Sequence, residues 1–131
     1  MDMGSLHALL ERRAHLIHER SKLDAEIRSI DFRIETYKAF ERARWVGIRI
    51  TPKTENKAMH WGFILNCLDI NGPLTTAALS QLAGMYLGTD NYNTIRSHLH
   101  RMALEGLIVQ DREGRWNPTE RASSLPILEG D

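Results

Sequence analysis

The sequence predicts a mainly α-helical protein: a long N-terminal coiled-coil helix, then a small domain of three helices and a β-hairpin. Three observations carry that expectation. Ser5 to Arg44 contains neither Gly nor Pro and is dominated by Leu, Glu, Arg and Ala, residues that cost little in a helix. Apolar residues after Ala58 recur at helical spacing between glycine and proline stops. Residues 91 to 119 read as an amphipathic helix closed by glycine, followed by two short β-prone stretches around a charged turn.

The first helix, within residues 1–44, repeats in sevens. Leu9, Leu16, Leu23, Ile30 and Tyr37 fall at d, and Leu6, Arg13, Arg20, Ile27, Ile34 and Glu41 at a. Such a stripe cannot be buried by one helix alone, so Leu9, Leu16, Leu23, Ile27, Ile30, Ile34 and Tyr37 are assigned to a homodimer contact with the same helix of a second chain. A parallel pair would set Glu19 against Asp24, Glu26 against Asp31 and Arg33 against Lys38, all like charges, which favours an antiparallel or bundle-like arrangement. Arg13 and Arg20 either set the register as polar breaks or extend along the helix to solvent. Glu11, His15 and His18 have a spacing that metal sites use, but with no second ligand cluster no metal ligand is assigned.

Residues 45–57 break the heptad. Trp45 to Thr51 reads as a short strand or an extended connection ending at Pro52. Thr54 is the expected cap of a helix from Glu55, with Met59, Phe63, Ile64, Cys67 and Leu68 as its apolar face. Asn71-Gly72-Pro73 stops it, Thr75 caps the next helix, and Leu79, Leu82 and Tyr86 give that helix its buried side before the turn Gly88-Thr89-Asp90. The domain is expected to span 58–121, with 122–131 a flexible tail whose Leu125, Ile127 and Leu128 could pack on a partner.

In the last helix Ile95, Leu99 and Met102 recur at intervals of four and three and face the core. The opposite face holds Asn93, Ser97, His100 and Arg101, flanked by Thr94 and Arg96, side chains that hydrogen-bond base edges and phosphate oxygens. Gly106 ends the helix because glycine takes the left-handed conformation without a Cβ penalty. Leu107 to Asp111 and Arg115 to Asn117 then pair around Arg112-Glu113-Gly114, with Pro118 closing the ladder.

Composition sets limits. In 131 residues, 42% are apolar, enough for a core, and 17 Lys plus Arg balance 17 Asp plus Glu, which argues against indiscriminate binding to nucleic acid. Arg96, Arg101, Arg112 and Arg115 nevertheless concentrate on the last helix and hairpin. No apolar run is long enough for a membrane span and no secretory signal is readable, so a cytoplasmic location is expected. Cys67, among Phe63, Ile64 and Leu68, reads as a buried structural thiol. Neither a phosphate-binding glycine loop, a nucleophile elbow nor clustered carboxylates occur, so no enzyme and no cofactor is expected.

In order along the chain, GPLTTAALSQLAG resembles the first helix of a helix-turn-helix, NTIRSHLHRMALEGLI the recognition helix, and GRWNPTERA the return strand of a wing. From about Ala58 to Thr119 the chain thus resembles the winged helix-turn-helix superfamily, especially its dimeric MarR-like and PadR-like bacterial regulators. The resemblance implies a helix in the DNA major groove and a wing on the backbone or minor groove. Carried over, it places Tyr92, Asn93, Arg96 and Ser97 at the groove, with Thr94 beside them, His100 and Arg101 on phosphate, and Arg112 and Arg115 on the wing. The expected partner is double-stranded DNA, bound by a homodimer acting as a transcriptional regulator. The alternative is a non-catalytic scaffold or adaptor whose coil and winged domain both bind proteins.

Overall fold

The computed structural model describes residues 3–88 and 91–123. The chain divides into two units, Met1–Arg33 and Ile34–Asp131. Helix α1, Met3–Trp45, begins in the first and ends in the second. In the first unit α1 stands exposed along its length, with Leu9, Leu16, Leu23, Ile27 and Ile30 between 52% and 66% accessible. Leu10 (54%) and Ile17 (39%), next to the d leucines, widen the stripe beyond the heptad seam.

The second unit starts well before Ala58. Ala39 and Ala43 of α1 are fully buried, Arg42 is 3% exposed, and Val46 joins the core. The heptad misses this segment because its packing residues are alanines, while the d residue Tyr37 is 77% exposed. Ala39 is buried because α2, Glu55–Asn71, presents Gly62 to it, and a Cβ on Gly62 would overlap the Ala39 carbonyl. Two small residues let the helix backbones come together.

Of the two readings of Trp45 to Thr51, the structure has the connection: no strand forms there. Gly47 at φ +89° ends α1, with Ile48 N–H donating to Ala43 O and Gly47 N–H to Arg44 O. Thr54 sits at the N-cap of α2 without capping it: its hydroxyl donates to Arg49 O at 2.6 Å and accepts from Thr51 N–H at 2.8 Å, closing the preceding turn. α2 is also buried more completely than one apolar face allows. Trp61 and Leu65 are sequestered along with Phe63, Ile64 and Leu68, as expected of a helix surrounded by others.

Strand β1, Leu74–Thr75, leads into helix α3, Thr76–Leu87, whose cap is Thr75, accepting from Ala78 N–H at 3.2 Å. The buried side of α3 is Leu79, Ala83 and Leu87; Tyr86, expected inside, is 40% exposed with its ring 6.3 Å from Phe63. Gly88 ends α3 in the left-handed conformation, and Thr89 and Asp90 lie outside the described residues. Helix α4, Tyr92–Leu104, then buries Ile95, His98, Leu99 and Met102.

Strands β2, Ile108–Gln110, and β3, Arg115–Pro118, form the hairpin, but the sheet has three strands rather than two. The order is β1-β3-β2, all antiparallel, with Leu74 opposite Trp116 and Gln110 opposite Trp116 on the other side. A two-residue strand leaves no alternation for the sequence to reveal. Pro118 stays in the ladder, opposite Ile108 at the strand end, where its missing N–H costs nothing. Helix α5, Glu120–Ser123, buries Ala122, the first residue of the expected tail; residues 124–131, with Leu125, Ile127 and Leu128, lie outside the described residues. No helix among the described residues is long and apolar enough to cross a membrane.

Candidate nucleic-acid interface

The exposed face of α4 is set by how the helix starts, stops and seats. Asn91 caps it, its side-chain carbonyl accepting from Asn93 N–H at 3.0 Å and Thr94 N–H at 3.3 Å. At the other end Gly106, at φ +76°, lets Leu107 N–H reach Met102 O and Gly106 N–H reach Ala103 O, both at 3.0 Å. That pair of bonds is the Schellman closure, completed by burial of Met102 and Leu107. Between the two stops the apolar stripe faces α2 and α3, so rotation of α4 about its axis is fixed.

A second clip, absent from the sequence reading, sits beneath the exposed face. Trp61 of α2 donates its indole N–H to His98 Nδ1 at 3.1 Å, and His60 stacks on His98 at 4.6 Å with 15° between the rings. Accepting that hydrogen bond requires a neutral His98, and burial pushes its pKa down to about 4, with the charges of His60 and Arg101 adding to the effect. His60 Nδ1 lies 2.8 Å from Asn56 O, and its buried Nε2 has no partner among the described residues. Lys57 lies over the Trp61 ring at 4.3 Å. The spacing of His98 from Leu99 and Met102 is the signal that could have placed it on the inner face.

Between α4 and the sheet runs an open groove lined by Thr76, Tyr92, Asn93, Arg96, Ser97, His100, Gln110 and Trp116. The structure thus brings together five of the nine residues singled out from the sequence: Tyr92, Asn93, Arg96, Ser97 and His100. Thr94 is half-buried in the first turn, and Arg101 lies outside the groove, donating to Ser97 Oγ at 3.2 Å. Arg112 is exposed at the hairpin turn. Arg115 is ion-paired, at 3.3 Å from Glu113 and 3.6 Å from Asp111. Thr76, Gln110 and Trp116 were not foreseen, because only β1 pairing with β3 brings the Trp116 indole N–H to Thr76 Oγ1, at 3.0 Å.

The hairpin turn is built on one carboxylate. Asp111 accepts from Glu113 N–H at 3.0 Å, Arg115 N–H at 2.9 Å and Asn117 Nδ2 at 3.3 Å. These bonds, the Arg115 backbone one foremost, hold its pKa below the usual value.

Electrostatically the groove is one-sided. No Asp or Glu occurs from Asn91 to Leu104, and among the described residues none lines the groove. Arg96 and Arg112 enter no ion pair among the described residues. Elsewhere in the unit Arg42 is bound to Asp69 and donates to Ala122 O at 2.8 Å, and Lys57 is 3.8 Å from Glu105, whereas Arg44, Arg49 and Lys53 enter no ion pair among the described residues. Cys67 is buried, which pushes its thiol up to about 12 and leaves it protonated. Comparison with known proteins gives no match among family models, curated sequences or solved structures.

Proposed function

We propose that this chain is a dimeric, sequence-specific double-stranded DNA-binding protein of the winged helix-turn-helix type, acting as a transcriptional regulator. Three helices, α2, α3 and α4, followed by the β2–β3 hairpin supply the order that such a domain needs. The observation that carries the reading is the carboxylate-free exposed side of α4, where Arg96, with no ion pair among the described residues, stands between hydrogen-bonding Asn93, Ser97 and His100. Asn and Arg are side chains that discriminate base edges bidentately in the major groove, and the N-terminal part of such a helix is what enters it. Arg101 and Arg112 add cations suited to phosphate. The α1 stripe supplies the second copy, which gives a two-fold arrangement suited to paired half-sites.

The test is fluorescence anisotropy with a mixed-sequence duplex at two salt concentrations, for the wild type and for Arg96→Ala. Salt-sensitive binding weakened by the substitution is expected, since each phosphate contact releases counterions. Absence of binding at low salt would overturn the proposal.

Two observations favour a second reading, a non-catalytic scaffold or adaptor that binds proteins. The chain is neutral overall, and Arg115 is already occupied by Asp111 and Glu113. Retention of a stoichiometric protein partner through nuclease treatment, unaffected by Arg96→Ala, would decide for it.

A further inference from the structure

The first unit of α1 carries a recess lined by Leu9, Arg12, Arg13, Leu16, Ile17 and Arg20. In heptad terms these six are two adjoining holes of the kind that a knob from a facing helix fills: d-g-a-d from Leu9, Arg12, Arg13 and Leu16, then a-d-e-a from Arg13, Leu16, Ile17 and Arg20. We propose that the occupant is the same helix of a second copy running antiparallel, with Arg12 of each chain facing Glu26 of the partner subunit. This rests on the dimer of the proposed function and supplies its geometry.

Charge selects both direction and register. A parallel pair opposes like charges at three successive flanking positions, from Glu19 to Lys38. An antiparallel pair instead brings g to g and e to e. With Leu6 level with Ile30 of the partner subunit and Leu9 level with Ile27 of the partner subunit, Arg12 meets Glu26 of the partner subunit twice by symmetry. Leu23 of the partner subunit then fills the hole between Leu9 and Leu16, and Arg13 lies level with the turn carrying Asp24 of the partner subunit. At the two-fold axis Ile17 faces Ile17 of the partner subunit, which accounts for an isoleucine outside the a and d seam. The one like-charge pair is Glu19 with its copy, beside Arg20 of both chains.

The neighbouring registers are worse. One heptad longer, Arg12 meets Arg33 of the partner subunit and Glu19 meets Glu26 of the partner subunit, both repulsive. One heptad shorter, Leu9 lies level with Arg20 of the partner subunit and Arg13 with Leu16 of the partner subunit, so of these layers Leu6 with Leu23 of the partner subunit alone is wholly apolar, against two in the register proposed.

Disulfide trapping tests this. Leu9→Cys and Ile27→Cys chains are prepared separately, then oxidised alone and mixed, with the wild type setting the background of buried Cys67. A cross-linked dimer that forms only in the mixture is expected. Cross-linking of each variant with itself would mean a parallel pair and overturn the proposal, as would a Leu16→Cys with Ile27→Cys product in place of the expected one, or a monomeric mass by light scattering. Arg12→Glu should weaken dimerisation by about tenfold, and Arg12→Glu with Glu26→Arg should restore it; a failure of that rescue would also overturn the pairing. No readout involves DNA, so this inference and the DNA-binding reading fail separately.

Discussion

At the scale of single residues, the cations of the candidate interface are not equivalent. Arg96 lines the groove without an ion pair among the described residues, whereas Arg115 would have to leave Asp111 and Glu113 before meeting phosphate. Arg96→Ala should therefore weaken DNA binding by about tenfold or more and lower the salt slope by about one, and Arg115→Ala should do less; anisotropy at several salt concentrations checks both. His98 gives the fold a dependence on acid. The unfolded imidazole takes up its proton near 6.5 and the folded one only near 4, so between these values the unfolded chain binds more protons. Stability is then full above the upper value and falls as the pH is lowered toward the lower one, by on the order of 3 kcal/mol. Thermal melts from pH 7 to pH 4 should show the decline, and His98→Gln, which keeps an acceptor for Trp61, should flatten it.

At the scale of elements, the contact that ties the end of α1 to the domain is set by the absence of a side chain. Gly62→Ala would gain about 1 kcal/mol of helix propensity. Against this stands overlap of the new Cβ with the Ala39 carbonyl, a backbone atom that cannot rotate away. Overpacking of that kind costs about 3 kcal/mol or more, so a net loss is expected in urea denaturation. Arg42→Met addresses the same junction through polar contacts. It strips Ala122 O of its donor and leaves Asp69, which is 38% exposed, to water, so a cost of about 1–2 kcal/mol is expected from the same measurement.

At the scale of the whole molecule, the two units predict separable behaviour. The first unit holds its apolar side chains exposed, and the second has a core of its own. Leu23→Asp should abolish the proposed dimer in light scattering while leaving the cooperative melt of the domain in place. If paired half-sites are read together, DNA affinity should fall by about tenfold or more in the same variant, because the second contact is no longer intramolecular.

The sequence by itself determined what depends on neighbours along the chain. Helix periodicity, the Thr75 cap, the glycine stops and the polar face of α4 all follow from local sterics and local hydrogen bonds, so all were legible. Five of the groove residues were legible for the same reason, being on one side of one helix. Tertiary structure decided the rest. Pairing of β1 with β3 added Thr76 and Trp116 to the groove, the packing of α2 on α4 buried His98 against Trp61, and the approach of Gly62 to Ala39 moved the start of the compact unit to Ile34. Each joins residues more than twenty positions apart through contacts that neither partner's neighbours specify, and only the folded core brings them together.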